Sequence, residues 1–201
     1  MNKQHLFLLL IIVLCNVWMS ACANQNSEID NRKQTEEREV EASSIKDKEV
    51  DVTATLISTD GEKVGVVSME QLIHGVKMTL DATDLPPGSH GFHIHEKGVC
   101  ELPDFESAGG HFNPTGSAHG FNALEGPHAG DLPNIEVGKE GTVHVELINE
   151  RVTLEQGKEN SLLGDDGTTI IIHSGADDYK SQPAGNAGER IACGVVENEV
   201  R

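Results

Sequence analysis

The sequence predicts an all-β domain, with about eight short strands arranged as a sandwich or barrel. Three observations lead there. From Val50 onward, segment after segment alternates apolar and polar residues with period two, as a strand with one face on a core requires. Clusters of Gly, Pro, Asn and Asp separate those segments. No segment carries an apolar stripe at helical spacing. The chain holds 21 glycines and only 3% aromatic residues, which suits β structure whose loops need unusual dihedrals.

The elements follow in order. Val50, Val52, Ala54 and Leu56 alternate with Asp51, Thr53, Thr55 and Ile57 in a first strand, and Thr59-Asp60-Gly61-Glu62 turns it. Val64 to Met69 makes a second. Val76, Met78 and Leu80 alternate with polar residues in a third, which Pro86-Pro87-Gly88 ends. Ser89 to His95 is a fourth. After a long loop, Ile135-Glu136-Val137 leads through Gly138 to Gly141 into Thr142 to Ile148. There Val143, Val145 and Leu147 face one way, and Thr142, His144 and Glu146 the other. Leu162-Leu163 forms a short strand edge, Thr168 to His173 an apolar strand ending in a histidine, and Ile191 to Val196 closes the sheet.

The first fifty residues stand apart from this pattern. Lys3 supplies a positive start, Leu6 to Leu14 is an unbroken apolar run, and Asn16 interrupts it too early for a bilayer span, so residues 1–21 are predicted to be a signal peptide. Met19-Ser20-Ala21-Cys22 resembles a bacterial lipoprotein cleavage site, with Cys22 as the lipidated first residue; Cys15, behind bulky Val13-Leu14, fits badly. The expectation is an exported protein, lipid-anchored to the membrane on its extracytoplasmic side, where disulfides persist. Residues 22–49 are polar and charge-mixed, with too little apolar surface to fold. As a flexible tether they would hold residues 50–201 roughly 30 Å from the lipid. The formal charge of −18 leaves no basic face for phosphates, so nucleic-acid binding is excluded.

Between Gly91 and Asp131 the chain concentrates His93, His95, His111, His119 and His128. Alternate residues of a strand share a face, so His93 and His95 can present two imidazoles to one ion. His111, His119, His128 and Asp131 are too irregularly spaced for one helix or strand face. They suit a loop wrapped around a cation, three nitrogens and one carboxylate in a tetrahedral, zinc-like set.

The blocks Gly-Phe-His93-Ile-His95-Glu, Gly-Gly-His111-Phe-Asn-Pro, His119-Gly, His128-Ala-Gly-Asp131-Leu-Pro-Asn and Gly185-Asn-Ala-Gly-Glu-Arg190-Ile-Ala-Cys193-Gly-Val resemble, in order and spacing, the copper–zinc superoxide dismutases. The resemblance runs from about Val50 to Val196. It implies an eight-stranded, immunoglobulin-like Greek-key barrel with long metal-binding and electrostatic loops. It implies copper held by His93, His95, His111 and His173, and zinc held by His111, His119, His128 and Asp131, with the His111 imidazole shared. It implies dismutation of superoxide to oxygen and hydrogen peroxide by alternate reduction and oxidation of the copper, with the His111 bridge releasing and taking up a proton. Asp177 matches the family aspartate that accepts hydrogen bonds from imidazoles on both metal sides, and Arg190 the arginine that attracts and orients the anion. Cys100 and Cys193, the two cysteines outside the leader, are expected to form a disulfide, the pair the family uses to pin the ligand loop to the final strand.

One departure concerns the substrate. The domain is strongly acidic, Lys180 is the only other cation between Asp177 and Arg190, and Pro183 and Ala184 stand where many relatives carry lysine and threonine. Steering of superoxide must then be local to the channel mouth, and weaker or differently placed. The rival reading is a copper-storing module on the same fold, against which Asp177 and Arg190 argue. The family pairs in different ways, which allows a homodimer. His74, His90 and His144 carry no functional assignment, and His144 is expected on an exposed face.

Overall fold

A computed structural model describes residues 51–199. The signal segment 1–21, the lipidation at Cys22, the tether 22–49 and Val50 lie outside the described residues. Among the described residues nine strands form: β1 (Asp51–Ser58), β2 (Lys63–Gln71), β3 (Val76–Ala82), β4 (Gly88–His90), β5 (Phe92–His95), β6 (Ile135–Val137), β7 (Val143–Asn149), β8 (Thr169–His173) and β9 (Arg190–Glu199). The only helical turn among the described residues is a 3-10 segment, Glu106–Ala108.

Seven strands make one curled antiparallel sheet in the order β5-β8-β9-β1-β2-β3-β7, and β4 pairs with β6 in a second, two-stranded sheet. After the β1-β2-β3 meander the chain crosses to the far edge to lay down β5, returns through β6 to place β7 beside β3, then crosses again so that β8 lies between β5 and β9. These crossings are the Greek-key connections that the resemblance implies.

The predicted single strand Ser89–His95 is two. Gly91 interrupts it: β4 pairs with β6 while β5 pairs with β8. Gly91 itself bonds to the end of β8 and the loop after it, its carbonyl accepting from the His173 N–H and its N–H donating to the Gly175 carbonyl, both at 2.8 Å. One apolar run therefore serves both sheets. Leu162-Leu163 forms no strand; Leu162 is buried in the core and its N–H donates to the Thr153 carbonyl at 2.9 Å, anchoring a loop instead.

Val52, Ala54 and Leu56 of β1, Val76, Met78, Leu80 and Ala82 of β3, and Ile170 and Ile172 of β8 fill a core between the sheets, which Ile135 and Val137 of β6 complete. In β2 the alternation slips, because a bulge leaves Val64 outside the β1–β2 pairing and lets both Val64 and Val67 face inward. All of β8 is buried, since a second cluster covers its outer face: Phe105, Ala108, Ile171 and Cys193. That explains an apolar run without alternation.

The second cluster sits beneath the Cys100–Cys193 disulfide, whose Cα atoms are 5.9 Å apart and which closes 93 residues of chain. In the chain-entropy account a loop of that length is worth about 4–5 kcal/mol. The paired substitution of Cys100→Ser and Cys193→Ser should lower the free energy of urea unfolding by about 4 kcal/mol; an unchanged unfolding midpoint would contradict that account.

Candidate metal centre

Strand β5 presents His93 and His95 on one face while Phe92 and Ile94 enter the core. The loop that follows folds back along the free edge of β5. Phe112 N–H donates to the Ile94 carbonyl at 2.8 Å and Ile94 N–H to the Gly130 carbonyl at 2.9 Å. This sets His111 across from His95 and Asp131 across from His93. Only glycine fits at 130, where a Cβ would stand 2.3 Å from the Ile94 carbonyl oxygen. His173 ends β8 on the other side of β5.

Two groups of side chains result: His93, His95, His111 and His173, and His111, His119, His128 and Asp131. Within each, the candidate ligand atoms lie within 4.8 Å of one another. All seven residues are buried, none more than 8% exposed.

Nitrogen bookkeeping tests whether these groups suit metals. On the first side, each imidazole is anchored through one nitrogen. His93 Nε2 lies 2.9 Å from Asp177 Oδ2, His95 Nδ1 lies 3.0 Å from the Gly109 carbonyl, and His173 Nδ1 lies 3.2 Å from the Gly188 carbonyl. His93 Nδ1, His95 Nε2, His111 Nε2 and His173 Nε2 are buried with no partner. An unpartnered buried nitrogen costs about 1–3 kcal/mol, and four converging ones make a set that imidazole-binding copper satisfies.

On the second side, Asp131 Oδ1 lies 2.8 Å from His111 Nδ1, 3.1 Å from His119 Nδ1 and 3.2 Å from His128 Nδ1. Asp131 Oδ2 is already taken by the N–H groups of Gly120 at 2.8 Å and His128 at 3.0 Å. Four ligands at zinc bond lengths stand about 3.3 Å apart in a tetrahedron, so three nitrogens and one free carboxylate oxygen at these separations fit zinc. His111 belongs to both sides, Nδ1 to the second and Nε2 to the first.

The electrostatics follow from burial. Desolvation, joined by neighbouring imidazoles, lowers the His111 pKa to about 4 and that of His173 to about 3, and holds His95 well below the ordinary histidine value. For His119, burial pulls the same way, but Asp131 at one nitrogen and Asp177 at the other outweigh it and raise its pKa. Burial would raise both aspartates; the hydrogen-bonded imidazoles prevail, taking Asp177 to about 2 and Asp131 lower still.

Asp177 is placed between the two sides: Oδ2 on His93, Oδ1 on His119 Nε2 at 3.0 Å. Gly185 closes over that contact, and a Cβ there would meet Asp177 Oδ1 at 1.8 Å. Asp178 is exposed and ties the loop to itself through Lys180 N–H, Ser181 and Asn186. Arg190 pairs across the sheet from His173 and donates to the carbonyls of Phe105 at 2.6 Å and Gly109 at 2.8 Å. The Gly109 carbonyl thus receives both Arg190 and His95. Lys180 is exposed on the same loop as Asp177.

Some contributors had no sequence signal. The Gly109 and Gly188 carbonyls orient ligands through backbone atoms that any residue carries. His90 could have been found only from its neighbours: it is buried, with Nδ1 2.8 Å from the His173 carbonyl and Nε2 2.8 Å from the Pro86 carbonyl. His144 is exposed and pairs with Asp81 at 2.6 Å.

A Greek-key fold with two buried groups that could each hold a metal ion, and that share one histidine, has the architecture of a binuclear metalloprotein. The family model described as copper/zinc superoxide dismutase (SODC) matches residues 63–196. Superoxide dismutase [Cu-Zn] 1 of Aquifex aeolicus (strain VF5) is 52% identical over 149 residues, 74% of this chain and 88% of that protein. The superoxide dismutase-like protein YojM of Bacillus subtilis (strain 168) is 40% identical over 191 residues, 94% of this chain and 95% of its own. The crystal structure of a SOD-like protein from Bacillus subtilis superposes with a TM-score of 0.70 at 45% identity, covering 72% of this chain and 97% of that one. The chain belongs to the copper/zinc superoxide dismutase family.

The shifted histidines set a pH dependence for the metal-free protein. Below the ordinary histidine value, down to about pH 4 for His111 and about pH 3 for His173, these imidazoles stay neutral when folded but are protonated when unfolded, and His95, also held well below that value by burial, acts in the same direction. The unfolded state then binds more protons, so stability falls as pH falls. His119, raised, opposes this, its contribution being present at low pH and lost as pH rises. The two aspartates contribute stability above about pH 4 that is lost below it. Three groups outweigh one. The melting temperature of chelator-treated protein should drop steadily from pH 7 to pH 4, and a flat profile would refute the burial of neutral imidazoles.

Proposed function

We propose that this chain is a superoxide dismutase, turning two superoxide anions and two protons into oxygen and hydrogen peroxide. His111 carries the reading: Nδ1 lies 2.8 Å from Asp131 on one side, while Nε2 is buried and unpartnered among the histidines of the other. His93, His95, His111 and His173 would hold copper, and His111, His119, His128 and Asp131 zinc. Bound copper supplies one-electron chemistry between two oxidation states, which zinc lacks.

The chain's own residues supply the rest. Arg190 is fixed by two carbonyls beside His95 and His173, so its charge is aimed before substrate arrives. It draws in the small anion in a domain whose net field repels it. His111 Nε2, buried and without a protein partner, is the atom placed to hold a proton and give it to the reduced substrate. Asp177 fixes His93 and His119 in the tautomers that leave their other nitrogens as ligands. Storage of copper would need neither Arg190 nor that proton-carrying imidazole.

The same proposal covers the leader: residues 1–21 a lipoprotein signal, Cys22 lipidated, 22–49 a tether, and the protein exported and held on the extracytoplasmic side of the membrane. The Lys3 and Leu6 to Leu14 pattern supports it, as does the disulfide, which persists in such a compartment. Globomycin-sensitive processing and labelled-lipid incorporation, lost in Cys22→Ser, test the anchor. A homodimer, if formed, will show as twice the chain mass in light scattering of the metal-loaded domain.

In a superoxide-removal assay of copper- and zinc-loaded protein, His111→Ala should lose nearly all activity. Arg190→Ala should lose about tenfold or more and most of its dependence on ionic strength, with Lys180→Ala smaller in both. A loaded parent with copper but negligible activity would favour storage, and a parent rate indifferent to salt would defeat local steering.

A further inference from the structure

The loop that carries Asp177 and the loop that carries the zinc-side ligands are fastened by two side-chain amides acting in opposite directions. Gln182, on the first loop, grips the backbone of His119 on the second. Its Oε1 accepts from His119 N–H at 2.9 Å and its Nε2 donates to the His119 carbonyl at 2.9 Å. Asn134, the last residue of the second loop before β6, grips the backbone of Asp177 on the first. Asp177 N–H donates to Asn134 Oδ1 at 2.9 Å, and Asn134 Nδ2 to the Asp177 carbonyl at 2.9 Å. The two gripped residues are themselves joined, His119 Nε2 to Asp177 Oδ1 at 3.0 Å.

Tyr179 seals the arrangement. Its hydroxyl accepts from Asn134 N–H at 2.7 Å, its carbonyl accepts from Asn122 N–H at 3.1 Å, and its own N–H donates to Asp177 Oδ1 at 2.7 Å. Gly120 packs against that carbonyl so closely that a Cβ would stand 2.1 Å from the oxygen, and the Gly120 N–H holds Asp131 Oδ2. Each grip needs a donor atom and an acceptor atom side by side, which a primary amide offers; an ionised carboxylate has no donor, and a hydroxyl puts both functions on a single atom.

We propose that Gln182 and Asn134 are positioning residues, a reciprocal amide clamp that fixes the His119–Asp177 contact and carries order at the zinc-side group across to His93. The inference rests on the two-metal reading above. The physical argument is preorganisation. With both backbones held before metal arrives, less chain entropy is lost on binding, and a released ligand stays next to the ion. Asp177 holds His93 with its other oxygen, so a displacement of Asp177 turns a copper-side imidazole. Gln182 lies at the surface, so its removal leaves no core cavity.

A built-in control exists. Gln71 makes the same kind of grip far from any ligand in the chain, donating to the carbonyls of Leu72 and Gly75 and accepting from Thr153 and Leu154. Protein loaded with copper and zinc is mixed with a chromogenic chelator and zinc release is timed, and the copper(II) electron paramagnetic resonance spectrum is recorded beforehand. Gln182→Ala and Asn134→Ala should each release zinc about tenfold faster, in keeping with two lost hydrogen bonds, and should alter the copper spectrum. The double variant should fall short of the product of the singles, as coupled residues do. Gln71→Ala should lower the melting temperature while leaving release and spectrum as in the parent. Gln182→Glu keeps the acceptor for His119 N–H and drops the donor, so it should be intermediate and guards against a misfolded alanine variant. Release within twofold of the parent in Gln182→Ala, Asn134→Ala and Gln182→Glu, or an equal acceleration in Gln71→Ala, overturns the clamp. A parent that takes up no zinc overturns the two-metal reading and the clamp with it.

Discussion

A neutral imidazole has two nitrogens and one proton, so a buried histidine must find both an acceptor for its N–H and a use for its bare nitrogen. Six histidines meet that requirement in one small volume. Carbonyls of Gly109 and Gly188 and the carboxylate of Asp177 take one nitrogen each from His95, His173 and His93. The other nitrogen of each of these three, with His111 Nε2, converges on one point with no protein group to satisfy it. Hydrogen bonding within the chain cannot complete this site, whereas cations can, and metal binding therefore adds directly to the stability of the fold.

The barrel makes such an arrangement affordable. Two of the three elements that bring the first group of histidines are strands of the sheet, β8 paired on both sides and β5 paired with β8, so those histidines start from a rigid frame. The loop that brings the rest would be mobile alone. It is held by the β5 edge, by the disulfide with the small apolar cluster under it, and by the amides of Gln182 and Asn134. Charge is arranged on the same scale. Of the chain's 33 acidic residues 25 lie within 51–199, against 8 of its 15 basic ones, so the domain as a whole repels an anion. Within it one cation, Arg190, is held beside the histidine cluster by the same Gly109 carbonyl that orients His95.

Much of this was legible in advance, and the exceptions have local causes. Period-two alternation located the strands because one face of each meets a core. It missed the division at Gly91, since a run buried throughout looks the same whether it serves one sheet or two. It placed an edge strand at Leu162-Leu163, where a buried leucine of an anchored loop carries the same apolar signature. His90 and His93 are indistinguishable as residue types; only their surroundings, two carbonyls for one and an open cluster for the other, set them apart. Gln182 looked like an ordinary polar loop residue, because a side chain that grips a backbone 63 positions away leaves no pattern in its own neighbourhood.

What the order of residues determined alone was the chemistry on offer: which side chains can ligate, that His93 and His95 share a face, and that the two cysteines of the domain would pair. These are consequences of short-range geometry and of intrinsic side-chain properties. Tertiary structure decided which nitrogen of each histidine is free, which oxygen of Asp131 is left for a metal, and which loops hold Asp177 and Arg190 in place. Those outcomes depend on hydrogen bonds between residues tens of positions apart, and only the folded chain brings such partners within 3 Å of each other.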